Sequence, residues 1–134
     1  MPCARVLLAD DHAAIADQLR AVLEPEFEVI AIIGDGDTLL AAAETLTPDV
    51  IVTDIGMPGL NGIAAAGEIL RKNPQARIVF VTIYRNPVLV QQCLTAGALG
   101  YVLKLAAGEE LRPAVHAALR GERYVSQAVR SNTM

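Results

Sequence analysis

Five short aliphatic runs alternate with segments of helical spacing along this chain, and that alternation leaves few folds open. Residues 5–9, 27–33, 49–53, 78–81 and 100–103 read as strands, each brief, apolar and bounded by turn formers or charge. Between the first two, Ile15, Leu19, Val22 and Leu23 share one helical face until Pro25 stops it. Leu39, Leu40, Ala43 and Leu46 form the next stripe, with Asp37 or Thr38 as the expected cap. A third helix is expected over 63–72, closing at Asn73-Pro74. Asn86-Pro87 pairs a cap residue with proline at the first helical position, opening a fourth helix that ends near Gly97. The fifth is expected over 109–120, before Gly121, with Pro113 awkwardly inside it, where it would kink the helix or delay its start. Residues 122–134 read as a polar, irregular tail or the start of a linker, leaving 4–121 as the folded domain. Strand-helix units in strict succession imply an α/β doubly wound parallel sheet with helices on both faces.

The length of 134 residues fits one domain with a real core. Hydrophobic residues make up 53% and charged residues 19%, the reverse of a disordered composition. A net charge of −4 excludes a basic nucleic-acid surface on this domain. Every apolar stretch is broken well short of the roughly 18 residues that would span a bilayer, and acidic Asp10 and Asp11 follow the first short run too closely for a signal peptide. Cys3 and Cys93 lack any metal-like spacing and read as reduced thiols. A cytoplasmic location without membrane attachment is the expectation.

In open parallel sheets, ligands sit beyond the carboxyl ends of the strands. That rule sorts the chemistry. The strands run into Asp10 and Asp11, Asp54, Thr82 and Lys104, so all of these side chains are expected at one edge. Carboxylates so gathered repel: each pair at 4 Å costs about 4 kcal/mol at an effective dielectric of 20. A hard divalent cation with oxygen ligands relieves this, and Mg²⁺ suits one or two carboxylates plus water. Such an ion also draws in a phosphoryl group. Asp54 is then a carboxylate nucleophile that would form an aspartyl phosphate, Lys104 a mobile cation and Thr82 a hydroxyl donor for the phosphoryl oxygens. Taken singly, each residue has a plainer explanation as a cap, loop acid, strand end or surface charge; their shared placement favours the chemical one. His12 reads as a first-turn helix residue beside the pocket, and Met57 and Leu60 as loop packing.

The set Asp10-Asp11, the loop 54–62 (Asp-Ile-Gly-Met-Pro-Gly-Leu-Asn-Gly), Thr82 and Gly100-Tyr101-Val102-Leu103-Lys104 resembles the CheY-like receiver domain of bacterial two-component response regulators. The resemblance covers residues 4 to about 121 and implies a flavodoxin-like fold with strand order 2-1-3-4-5. It implies phosphotransfer from a sensor histidine kinase to Asp54, with no sustained enzymatic turnover. It also implies a Mg²⁺ ion held by Asp11, Asp54 and the Gly56 carbonyl, with Asp10 acting through water. Thr82 and Tyr101 would be a switch pair, Thr82 moving toward the phosphoryl group and Tyr101 turning inward. By the same resemblance Gly56 and Tyr84 would tune the lifetime of the phosphoryl group. Asp10-Asp11-His12 and Gly121-Glu122-Arg123-Tyr124-Val125-Ser126 are similar to the subfamily that precedes a LuxR-type helix-turn-helix. The chain is therefore expected to be a receiver fragment of a transcription factor, reaching DNA only through an output domain. The alternative is a stand-alone receiver acting by protein contacts. Leu105 stands where many receivers have a cis proline, and Pro113 lies in the helix that receivers often use to form homodimers.

Other readings of the same architecture fit less well. A Mg²⁺-dependent phosphatase with an aspartate nucleophile would want a cap domain or long loops, and the connections here are short. A flavin-binding domain needs a Ser/Thr-rich phosphate loop where this chain has Asp10 and Asp11. An interaction module without phosphorylation would not need the full acidic and basic set.

Overall fold

The computed structural model describes residues 3–132. Five βα units follow one another: β1 (Arg5–Ala9), α1 (Ala13–Leu23), β2 (Glu28–Ile33), α2 (Gly36–Leu46), β3 (Val50–Thr53), α3 (Gly62–Lys72), β4 (Ile78–Thr82), α4 (Pro87–Thr95), β5 (Gly100–Leu103) and α5 (Ala107–Leu119). A short sixth strand, β6 (Tyr124–Val125), and a helix, α6 (Gln127–Asn132), follow within the described residues. The sheet is parallel throughout, in the order β2-β1-β3-β4-β5-β6. This is the flavodoxin-like arrangement with one strand added at the β5 edge.

The central strands β1, β3, β4 and β5 are buried on both sides, and their alternation divides the core in two. Leu7, Ile51, Phe80, Tyr101 and Leu103 point to the side of Leu39, Ala65, Ile69 and Val90, on α2, α3 and α4. Val6, Leu8, Val52, Val79, Val81 and Val102 point to the side of Leu19, Leu23, Leu111 and Val115, on α1 and α5. Each large aliphatic or aromatic side chain so buried contributes roughly 1.5–3 kcal/mol by leaving water. A slip of one residue in any central strand would exchange the two sets, so the register is strongly specified. That register is what brings the strand ends level.

Three local features differ from the sequence expectation. α2 is capped by Asp35, whose carboxylate accepts from Thr38 N at 2.9 Å, rather than by Asp37 or Thr38. A 3₁₀ turn (Lys104–Ala106) leads into α5, which runs through Pro113 without a break. Pro113 and Glu109, whose carbonyl loses its usual donor, are both exposed, so water can take the place of the missing bond. Residues 122–132 are ordered rather than irregular: β6 pairs with β5 and Val129 of α6 is fully buried. Positions 133 and 134 of the expected tail lie outside the described residues. All peptide bonds among the described residues are trans, Lys104–Leu105 included.

Candidate functional site

Four strands, β1, β3, β4 and β5, run into the polar groups of the carboxyl edge. Asp10 follows β1, its N–H donating to Ile33 O at 2.9 Å and its Oδ1 accepting from His12 N at 2.9 Å. The end of β2 thus holds the Asp10 backbone, and the N-cap residue of α1 holds its carboxylate. Asp54 follows β3. Its N–H donates to Ala9 O at 2.9 Å, and its Oδ1 accepts from Ile55 N at 2.7 Å. The peptide then turns sharply into α3, where Gly62 N donates to Ile55 O at 2.7 Å. A Cβ on Gly62 would stand only 2.0 Å from Asp54 O, so the turn is closed around the absence of a side chain. From the other side α2 buttresses the loop: Gly36 approaches Leu60 so closely that a Cβ there would sit 1.7 Å from its carbonyl oxygen.

Lys104 reaches back across the edge from β5. Its ammonium lies 2.9 Å from Asp54 Oδ2 and 2.8 Å from Asp10 Oδ2, with both carboxylates largely buried. The contact with Asp54 is a hydrogen bond. Asp10 Oδ2 shares the same ammonium as a buried ion pair. Burial works against the charged ammonium, but the two carboxylates outweigh it and hold the Lys104 pKa above its ordinary value. Asp11 is more exposed and lies 3.1 Å from His12 Nδ1. Asp10, Asp11, His12 and Asp54 each offer a ligand atom, and all four atoms lie within 4.8 Å of one another.

Thr82 ends β4, between the strands of Asp54 and Lys104, fully buried, with its Oγ1 accepting from Tyr84 N at 3.4 Å. Tyr101 is also fully buried and donates its hydroxyl to Tyr84 O at 2.6 Å, so its ring is turned inward here. A cleft of about 300 Å³ opens over Asp54 and Lys104, lined also by His12, Ile15, Gly56, Ile83 and Tyr84. The structure therefore brings together Asp10, Asp11, Asp54 and Lys104, sets Gly56 in the cleft wall, and places Thr82 and Tyr101 behind it through Tyr84. Ile15, expected on the apolar face of α1, also forms the cleft wall, together with Ile83, which carries no distinguishing pattern as an isolated aliphatic residue after a strand.

Three groups behind the edge bind their protons more tightly than usual. Burial pushes the Cys93 thiol up to about 11 from 9.0. Burial first, then the neighbouring Cys93 and Asp54, raises the Tyr101 hydroxyl as well. Lys104 shifts the same way. In each case the unfolded chain loses its proton at lower pH than the folded one, so the stabilisation is complete below the unfolded value and lost as pH rises toward the folded value. Stability is thus expected to fall from about pH 9 upward, by about 1.4 kcal/mol per pH unit for each group in its window. Denaturant melts across the alkaline range test this. Cys93→Ala should flatten the earliest part of the decline, whereas stability that holds or rises above pH 9 would contradict the assignment.

The family model of the response regulator receiver domain matches residues 6–116. The chain belongs to the response regulator receiver family. This receiver is 39% identical over 120 residues to the transcriptional regulatory protein LiaR of Bacillus subtilis, covering 88% of this chain and 57% of that protein. A two-component response regulator of the LuxR family from Aurantimonas sp. superposes with a TM-score of 0.92 at 32% identity, covering 96% of this chain and 94% of that one. The response regulator RcsB, solved in complex with DNA, superposes at 0.88 with 28% identity, covering 96% and 66%. The receiver spans a little over half the length of the curated relatives it matches. Those relatives are transcription regulators, and the acidic cluster is consistent with a receiver's metal site. No helix among the described residues is long and apolar enough to cross a membrane.

Proposed function

We propose that this receiver accepts a phosphoryl group on Asp54 from the phosphohistidine of a sensor kinase, with Mg²⁺ bound at the acidic edge. The observation that carries the reading is the placement of Asp54 Oδ2 in a cleft, beside the Lys104 ammonium and two further carboxylates. The donor set fits a hard cation: three carboxylates offer oxygen atoms within 4.8 Å of one another, and the buried Asp10 Oδ2 shares the Lys104 ammonium with Asp54 Oδ2. Asp11, Asp54 and the Gly56 carbonyl would hold the ion, with Asp10 acting through water. When bound, it neutralises charge on the transferring oxygens.

The rest is this chain's own work. A carboxylate oxygen of Asp54 attacks phosphorus, the bond from phosphorus to the donor nitrogen breaks, and its electron pair returns to the imidazole. Lys104 exchanges its contact with the Asp54 carboxylate for a phosphoryl oxygen. Thr82 turns its hydroxyl toward another, and Tyr101 stays inward behind it. The added charge of about −1.5 to −2 is what the switch pair answers. By similarity to LiaR, and to RcsB in complex with DNA, the output is transcription regulation through a DNA-binding domain, with the receiver as a possible homodimer contact. A stand-alone receiver working by protein contact is the second form of the same reading.

The class is tested with an acyl phosphate and Mg²⁺ as the phosphodonor pair. The chain is expected to gain one phosphoryl mass and then stop. Sustained release of phosphate far beyond one equivalent would point to a phosphatase instead.

A further inference from the structure

Two hydrogen-bonded routes leave the acidic edge and meet at one buried side chain. Leu103, the residue before Lys104, donates its N–H to Ser126 Oγ at 2.9 Å. Tyr101, tied through Tyr84 to Thr82, gives its own carbonyl to Ser126 N at 2.8 Å. Ser126 is fully buried and stands between β6 and α6. Its hydroxyl donates to Glu110 Oε1 of α5, while Glu110 Oε2 accepts from Gln127 N at 3.1 Å. The carbonyl of Ser126 accepts from Val129 N and Arg130 N, both at 3.0 Å. One serine therefore joins the strand of Lys104, the helix after it and the segment 124–132.

That segment cannot hold itself. A two-residue strand and a six-residue helix are far below the size that is stable alone. Its docking depends on pairing with Gly100 and Tyr101, on the burial of Val129 in the cluster that contains Tyr101, Val90 and Cys93, and on the Ser126–Glu110 clamp. The clamp is also chemically specific. An alanine at 126 would strand the Leu103 N–H and remove the hydroxyl donor from Glu110 Oε1, leaving Glu110 the Gln127 N–H and the Tyr124 hydroxyl.

We propose that Ser126 couples the state of Asp54 to the docking of residues 124–132. The inference rests on the phosphoacceptor reading above. Once Lys104 follows a phosphoryl oxygen, the peptide joining Leu103 to Lys104 moves with it, and the Leu103–Ser126 bond lengthens. Thr82 and Tyr84 shift the Tyr101 strand in the same step. Both routes then weaken the hold on Ser126, and β6 and α6 loosen from the β5 edge. Because coupling between two sites is reciprocal, a receiver whose clamp is already broken takes up a phosphoryl mimic more readily.

Hydrogen exchange on the full chain tests this, with and without acyl phosphate and Mg²⁺, alongside intact mass to count phosphoryl groups. In the wild-type chain, exchange over residues 122–132 is expected to accelerate about tenfold on phosphorylation, an ordinary size for coupled sites. Exchange in β1 should stay unchanged, which separates local release from global unfolding. Ser126→Ala should exchange fast over 122–132 from the outset, take up its phosphoryl mass, and show no further acceleration. Glu110→Gln, which keeps Ser126 and the shape of the clamp, should start between the two and respond less than wild type. It carries the test should Ser126→Ala fail to fold. Unchanged exchange over 122–132 in a chain that carries its phosphoryl mass would overturn the coupling, as would a full wild-type response in either variant. A chain that gains no phosphoryl mass would instead overturn the phosphoacceptor reading and this inference with it.

Discussion

Asp54→Asn is expected to take up no phosphoryl group under conditions where the wild-type chain takes up one. The substitution is nearly isosteric, and an asparagine Oδ1 can still accept from Ile55 N, so the turn after β3 should survive. What disappears is the anionic nucleophile beside Lys104, because a neutral amide oxygen does not form a stable bond to phosphorus under these conditions. Asp10 and Asp11 cannot replace it. The cleft opens over Asp54 and not over the buried Asp10, while Asp11 lies on the exposed side with His12. Loss of one carboxylate from a crowded set also removes repulsion, on the order of 4 kcal/mol per close pair at an effective dielectric of 20. The weakened Lys104 contact opposes this relief, so the variant should stay folded with a stability close to wild type, which keeps the lost labelling from being blamed on unfolding. Intact mass and a denaturant melt on the same sample settle both points, and equal labelling of the variant would remove Asp54 from its role.

Gly62→Ala should be severely destabilising although alanine is the better helix former. Its Cβ would fall 2.0 Å from Asp54 O and 3.0 Å from both Asp54 C and Ile55 Cα, all backbone atoms that cannot rotate away. To make room, α3 must lift from the end of β3, breaking the Gly62–Ile55 bond and displacing Asn61, whose side chain caps the helix by accepting from Ala64 N at 2.9 Å. A loss of about 3 kcal/mol or more is expected, at the upper end for overpacking because backbone rather than side chain must move. Gly67 in the same helix supplies the contrast: nothing lies within 4 Å of its added Cβ. Gly67→Ala should raise stability by roughly 0.5–1 kcal/mol. Urea melts of the two variants side by side give the comparison, and a neutral Gly62→Ala would mean that the turn around Asp54 is looser than described.

Much of this was legible before any coordinates. The five strands are short, aliphatic and punctuated, so their ends could be placed to within a residue or two. Placing the ends places Asp10, Asp11, Asp54 and Lys104 on one edge, by topology alone. What the sequence concealed depends on long-range contact. β6 is two residues, too few to show a period, and only its pairing with Gly100 and Tyr101 makes it a strand. Ser126 and Glu110 are ordinary polar residues until the fold sets them together. The cap of α2 moved from Asp37 or Thr38 to Asp35 because neighbouring polar residues compete for one role and only geometry decides. Asp37 instead accepts from Leu60 N at 3.4 Å, in the loop that forms the wall of the site.

Calorimetric titration of Mg²⁺ into the unmodified chain bears most directly on the claim that convergent negative charge at the strand ends creates a cation site. The account predicts one ion bound per chain, with binding lost when Asp11 is replaced by alanine and strengthened when Lys104, the internal cation, is replaced by methionine. A wild-type chain that takes up no Mg²⁺, or an Asp11→Ala chain that binds it equally well, would contradict the account.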